Sequence, residues 1–231
     1  MAQILGLGNP LLDISVEVEN LELLEKYGLK MGNAILAGPE HQALYAEVVS
    51  KFGSSVQYIA GGATQNSIRV AQWVSGESSG YTGYVGAIGS DEFGTTLTKS
   101  AQSEGVTTLY QVSSEKPTGT CAVLVYQQER SLVANLAASE TLQVSHLDTD
   151  AVKAAIDSAR VIYCAGFPLT HPGGAASVEK LGKISSEKGK IFATNLSAPF
   201  IVQVSVFFKD DLISCFLIAS PNGLHSIGVV F

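Results

Sequence analysis

Ile59-Ala-Gly-Gly-Ala-Thr-Gln-Asn66 joins a short apolar run to the polar first turn of a helix. Paired glycines between a strand and a helix let a ligand approach the backbone, and the N–H groups of a helix start donate to oxygen atoms. Asn66 can both donate and accept, which suits a vicinal diol. The same Gly61-Gly62 pair also reads as a tight turn with no ligand, and spacing alone leaves both readings open. The spacing predicts strands over 3–7, 57–60, 81–88, 107–111, 161–165 and 190–195. It predicts helices over 20–28, 39–52, 63–74, 93–104, 150–159 and 174–188. Asn20 is the expected cap and Gly28 the stop of the first helix, Pro39 opens the second, and Gly105 closes the fourth. Strands that alternate with helices predict an α/β fold with a mainly parallel sheet covered on both faces. The rhythm breaks once, at 119–126 and 131–136, two strands joined by the polar turn Gln127-Gln-Glu-Arg130. This is a hairpin, and it predicts a small β lid beside the α/β core.

The chain has 231 residues, room for one or two domains. Apolar residues make up 46% and charged residues 15%, which provides a core and excludes a disordered chain. The net charge of −7 argues against nucleic acid as a partner. The cluster Lys180, Lys183, Lys188 and Lys190 is mixed with Glu179 and Glu187 and reads as a solvated helix face. Cys121, Cys164 and Cys215 are far apart, and an odd count without CxxC fits a reducing compartment, here the cytoplasm or nucleus. His41, His146, His171 and His225 show no metal-ligand spacing, so no metal site is expected on this chain's own residues. No secretory leader is expected, since no basic residue precedes Lys26 and Asp13 interrupts the first apolar run. Residues 212–231 carry no charge, but Ser220-Pro-Asn-Gly223 breaks the stretch, so no membrane span is expected.

Other residues stand where open α/β sheets put ligands, at the carboxyl ends of strands. Gly6-Leu-Gly8-Asn-Pro-Leu-Leu-Asp13 fails the dinucleotide fingerprint, because Pro10 and Leu11 follow and no third glycine arrives. Asn9 and Asp13 sit at that strand end; Asp13 reads equally as a diol acceptor or as the anchor of a turn. The glycine-dense run 83–94 reads as close strand–helix packing. Arg130, at the hairpin turn, is either solvated or able to close over phosphate oxygens. Phe167 and Phe200 follow strands and read as core or as stacking platforms. Neither a Ser-His-Asp or Cys-His arrangement nor a GxxxxGK[ST] loop is legible.

Taken together, Gly8-Asn-Pro-Leu-Leu-Asp-Ile-Ser15, residues 60–73, Pro117-Thr-Gly-Thr-Cys121, Arg130-Ser-Leu-Val-Ala-Asn-Leu136, Ala165-Gly-Phe167 and Asn195-Leu-Ser-Ala-Pro-Phe200 resemble the adenosine kinases of the ribokinase-like sugar and nucleoside kinase family, in order and spacing. The resemblance implies a three-layer α/β sandwich over residues 1–212, with lid elements near 11–37 and 117–137. It implies transfer of a phosphoryl group from ATP, with Mg²⁺, to the 5′-hydroxyl of adenosine, giving AMP, by a monomer. Asp13 would bind the ribose hydroxyls with Asn66 and the backbone at Gly62 and Ala63, and Asn9 would face ribose and base. Leu11, Cys121, Leu132, Ala134, Leu136 and Phe200 would line an apolar pocket, with Phe167 against adenine and Arg130 turned toward the transferring phosphate.

The sequence departs from the family in two places. Pro168-Leu-Thr-His-Pro172 stands where the family has a second Phe and a different turn. Residues 213–231 resemble nothing in the family. The family's later segments, which hold the catalytic Asp, the anion hole and the nucleotide site, have no counterpart in these 231 residues. The expectation is therefore a kinase by descent whose 231-residue chain is truncated and inactive. The alternatives are a non-catalytic nucleoside-binding fragment and a related kinase for another sugar or nucleoside.

Overall fold

A computed structural model of the chain describes residues 2–195, 197 and 201. Ten strands form two five-stranded sheets among these residues. The first sheet is parallel throughout, in the order β10 (Ile191–Thr194), β9 (Val161–Cys164), β1 (Ile4–Leu7), β5 (Thr82–Gly89) and β6 (Thr107–Ser113). Alternation along its strands sends side chains to opposite faces. Leu5, Leu7, Val85 and Ala87 pack against Val152 and Ile156 of α5 (Asp150–Ser158) and Val178 and Leu181 of α6 (Pro172–Glu187). Tyr84 and Ile88 face the other way, onto Ile68 of α3 (Ala63–Ser75) and Leu97 and Ala101 of α4 (Glu92–Ser103). That is a three-layer sandwich, buried on both sides as a parallel sheet requires.

The second sheet is mixed, in the order β3 (Ala34–Leu36), β8 (Glu129–Asn135), β7 (Thr120–Tyr126), β2 (Leu11–Glu17) and β4 (Gln57–Gly61). β2 runs parallel to β7 and antiparallel to β4, and β7 and β8 form the hairpin. One face carries Ile14, Val16, Ala122, Leu124 and Val133 and is covered by α1 (Glu22–Lys26) and α2 (Gln42–Phe52). Directly opposed residues share a face. The pairings Asp13 with Cys121 and Ile59, and Cys121 with Ala134, therefore put all four on the uncovered face.

Several expectations are corrected by this architecture. The lid is a sheet of five strands, as many as the core sheet: β2 and β3 lie in the expected element 11–37 and the hairpin in 117–137, and only β4 lies outside both. Residues 11–17 are strand, so Asp13 lies inside β2 rather than in a turn after β1. The hairpin turn is the pair Gln127-Gln128, both with positive φ (49° and 69°). This is the left-handed geometry that matches strand twist in two-residue loops. Arg130 is consequently in strand β8, opposite Val125. The first helix is a short one whose cap position is Leu21; Asn20 Oδ1 accepts from Glu22 N at 3.1 Å. Pro39–His41 is a 3₁₀ turn leading into α2. Helix α6 begins at Pro172, where His171 Nδ1 accepts from Gly174 N at 3.1 Å. Among the described residues, no helix is long and apolar enough to cross a membrane. The expectations for Phe200 and for residues 213–231 lie outside the described residues.

Candidate functional site

The site lies where the chain passes between the two sheets. β1 leads through Gly8-Asn9-Pro10 into β2, and β4 leads through Gly62 into α3. Gly62 has φ +100°, and a methyl there would overlap the carbonyl oxygen of Asn9, so both backbone angle and close approach call for glycine. The neighbouring Gly61 is extended, and its missing side chain leaves the space that the Asp13 carboxylate fills. Helix α3 starts at Ala63 with Gly62 at its cap position, so the cap residue supplies no side-chain acceptor to the first turn.

Asp13 is 7% exposed. Burial pushes its carboxyl up to about 6 from an ordinary 3.8, against the opposing pull of the Arg130 and then the Arg69 guanidinium. Arg130 Nη2 stands 3.8 Å from Asp13 Oδ2, with its side chain half exposed. Asp13, Asn66 and Arg130 line one cleft of about 510 Å³, together with Arg69 and Trp73 of α3 and Glu104. Beside it, Leu11, Cys121 and Leu136 form a buried apolar cluster with Val123, and Leu132, Ala134 and Val125 pack against it. Burial holds the Cys121 thiol far above its usual range, so it behaves there as a small apolar side chain.

Asn9 is buried beneath this region. Its Nδ2 donates to Ser139 O at 3.3 Å and Ser139 Oγ at 3.2 Å, and lies 3.4 Å from His171 Nε2. Asn9 Oδ1 is buried with no partner among the described residues. Because His171 Nδ1 accepts from Gly174 N, a neutral ring carries its proton on Nε2, so Nε2 and Asn9 Nδ2 meet as two donors and their 3.4 Å approach is a packing contact, not a hydrogen bond. Burial lowers the pKa of His171 and favours that neutral form, with Glu140 raising it and Lys116 lowering it.

Phe167 opens a 3₁₀ turn, Phe167–Thr170, at the carboxyl edge of the core sheet and does not line the cleft. Its neighbour Gly166 donates its N–H to Asn195 Oδ1 at 3.2 Å and to Ser197 Oγ at 2.7 Å, which ties the loops after β9 and β10 together. The structure thus gathers Asp13, Asn66 and Arg130 around one cleft, Leu11, Cys121, Leu132, Ala134 and Leu136 into one apolar patch, and Gly62 and Ala63 at the crossing. Sequence reasoning missed Arg69, Glu104, Ser139 and the contact of His171 with Asn9. Only Arg69 left a signal, three residues beyond Asn66 on one helix face. Among the described residues, no group of three or more His, Cys, Asp or Glu could hold a metal ion.

Comparison with known proteins gives a consistent answer. The pfkB family carbohydrate kinase pattern matches residues 21–222, so the family likeness runs ten residues into the stretch 213–231 that was expected to lie outside it. Adenosine kinase 2 of Arabidopsis thaliana is 46% identical over 207 residues, 90% of this chain and 57% of that protein. Adenosine kinase of Dictyostelium discoideum is 44% identical, over 91% of this chain and 59% of its own length. The chain therefore spans less than three fifths of these curated relatives. Among solved structures, Anopheles gambiae adenosine kinase in complex with P1,P4-di(adenosine-5) tetraphosphate is similar with a TM-score of 0.82 and 41% identity, covering 94% of this chain and 65% of that one. Adenosine kinase from Schistosoma mansoni, in complex with adenosine in an occluded loop conformation, gives 0.81 and 34%, covering 94% and 60%.

Proposed function

The chain belongs to the pfkB family of carbohydrate kinases, and from that premise we propose that its residues build the acceptor side of an adenosine kinase, the part that holds adenosine while its 5′-hydroxyl receives a phosphoryl group. The observation that carries this reading is the buried Asp13 carboxylate, set at the crossing between the sheets beside Asn66 and an apolar patch. A neutral nucleoside asks for an apolar slot with a few placed polar groups. Asp13 accepts from the ribose diol in charge-assisted hydrogen bonds, which are the strong ones. Leu11, Cys121, Leu132, Ala134 and Leu136 exclude water beside the base; Phe167, outside the cleft that Asp13 lines, would reach adenine only by closing toward it. Asn9, with its amide fixed by Ser139, keeps Oδ1 as a buried acceptor for a ligand hydroxyl or amine.

Arg130 counters the charge of Asp13 and, on β8, moves with the lid sheet toward a transferring phosphate. Magnesium-ATP supplies the phosphoryl group in this reading, and the described residues offer no cluster to hold the metal. Phosphoryl transfer is mainly positioning and electrostatic stabilisation, and these residues contribute the positioning of the acceptor.

Titration calorimetry of the purified 231-residue polypeptide with adenosine, ribose and guanosine tests the reading. The expected result is one site that takes adenosine and discriminates against the other two by tenfold or more. A folded sample that binds ribose as well as adenosine, or neither, overturns it.

A further inference from the structure

Arg69 lies on α3 three residues beyond Asn66, close enough for the two side chains to meet. Its Nη1 donates to Asn66 Oδ1 at 3.1 Å and also to the carbonyl of Ala60, the residue before the Gly61-Gly62 crossing. Its Nε donates to Glu104 Oε2 at 2.6 Å, and Nη2 to Glu104 Oε1, a bidentate fork at the end of α4. A guanidinium has donors and no acceptor, so the Asn66 atom turned toward it is the oxygen. That leaves Asn66 Nδ2 as the group available to the cleft. We propose that Arg69 is a positioning residue: it turns the Asn66 carboxamide so that Nδ2 serves as a donor beside the Asp13 acceptor, and it joins the end of β4 to α4. This inference rests on the nucleoside-acceptor reading above.

The arrangement has a chemical consequence. A ligand hydroxyl donates to Asp13 while accepting from Asn66, whereas an ether oxygen has no proton for Asp13 and an ammonium has no lone pair for Asn66. The pair is therefore selective for hydroxyls, and the selectivity depends on the guanidinium. Arg69 also acts on Asp13 directly, since its charge favours the ionised carboxylate against burial. Glu104, bound to the same fork, partly cancels that charge. Removing Arg69 and neutralising Glu104 should therefore move the Asp13 titration in opposite directions.

The test uses Arg69→Met, Arg69→Lys and Glu104→Gln in the 231-residue polypeptide, with thermal melts to verify folding. In the ligand-free protein, carbon-detected NMR follows the Asp13 carboxyl through pH, and the side-chain amide resonance of Asn66 is read alongside. Arg69→Met should raise the Asp13 midpoint above that of the unmodified protein and shift the Asn66 amide; Glu104→Gln should lower the midpoint. Arg69→Lys should restore the midpoint and not the amide, since one ammonium cannot reproduce the fork. With adenosine, Arg69→Met should weaken binding about tenfold and displace the pH profile of affinity upward. An Asp13 midpoint and Asn66 amide unchanged in Arg69→Met overturn the proposal whatever adenosine does. If Arg69→Met does not fold, an unmoved midpoint in Glu104→Gln overturns it. Failure of the unmodified protein to bind adenosine, with the NMR shifts present, sinks the nucleoside reading and keeps the geometric role of Arg69.

Discussion

Replacing Asp13 with Asn should make the protein more stable and a poorer binder at the same time. The carboxylate sits 7% exposed inside β2, and burial lifts its pKa from an ordinary 3.8 to about 6. A difference of that size corresponds to about 3 kcal/mol. The sign follows from linkage: the folded state holds the Asp13 proton more tightly than the unfolded chain does. This stabilising contribution is fully present below 3.8 and is lost as pH rises through about 6. At pH 7.5 the folded protein therefore carries the whole cost of a buried charge, only partly offset by Arg130 and Arg69. Asn keeps the shape and removes the charge, so Asp13→Asn should gain up to about 3 kcal/mol at pH 7.5 and almost nothing near pH 4. In a chain of this size that is roughly 6–12 °C in melting temperature. Adenosine affinity should fall roughly tenfold to a hundredfold, the worth of hydrogen bonds to a charged acceptor. Differential scanning fluorimetry across pH 4–8, paired with calorimetry, measures both. A melting point that falls at pH 7.5, or a gain independent of pH, would refute the reasoning.

Other expectations follow from the same geometry. In the unmodified protein, adenosine affinity should be highest above pH 7 and should decline as pH drops through about 6, because protonated Asp13 no longer accepts two hydrogen bonds; calorimetry at pH 5 and 8 reads this directly. Gly61→Ala should weaken binding with a modest stability loss of about 1–3 kcal/mol, since a methyl would displace the Asp13 carboxylate. Gly62→Ala should cost more stability than Gly61→Ala, because it meets a positive φ and the Asn9 carbonyl together; the ranking of the two melting points decides this. Asp91→Ala should destabilise by about 1–2 kcal/mol in chemical unfolding. Burial alone would raise the Asp91 carboxyl; hydrogen bonds from Thr118 and Gly94 instead hold it below its usual range, and all of them vanish with the side chain.

The core sandwich was legible because each element carries its own signal. Helix α3 reads from its glycine pair and apolar spacing, and β5 from an uninterrupted buried run. Residues 11–17 are expected only as part of a lid element and not as a strand, although Leu12, Ile14 and Val16 alternate with Asp13 and Ser15. Strand β2 follows β1 after only three residues, and its parallel partner β7 lies more than a hundred positions away, so no local pattern announces the pairing. The same distance hid Ser139, which meets Asn9 across 130 positions. The turn Gln127-Gln128 lacks the Asn-Gly or Asp-Gly signature of such loops, so the sequence alone suggests a four-residue turn that includes Arg130. The Asp13–Asn66 neighbourhood was anticipated only through resemblance; the residues alone left Asp13 divided between ligand acceptor and turn anchor.

The passages of the chain between its two sheets bear on mechanics. Among the described residues they are at Gly8-Asn9-Pro10, at Gly62, at the segment between β6 and β7, and just after β8. Separating the two sheets strains these four tethers and, beside them, the apolar cluster in which Leu12 of β2 and Ala60 of β4 meet Leu97 of α4. The molecule then yields along a seam, and the seam is where Asp13, Asn9 and Asn66 sit. A ligand gripped there acts as a rivet across that seam. In an optical trap, adenosine should raise the force at which the two sheets part and leave the later unravelling of each sheet unchanged.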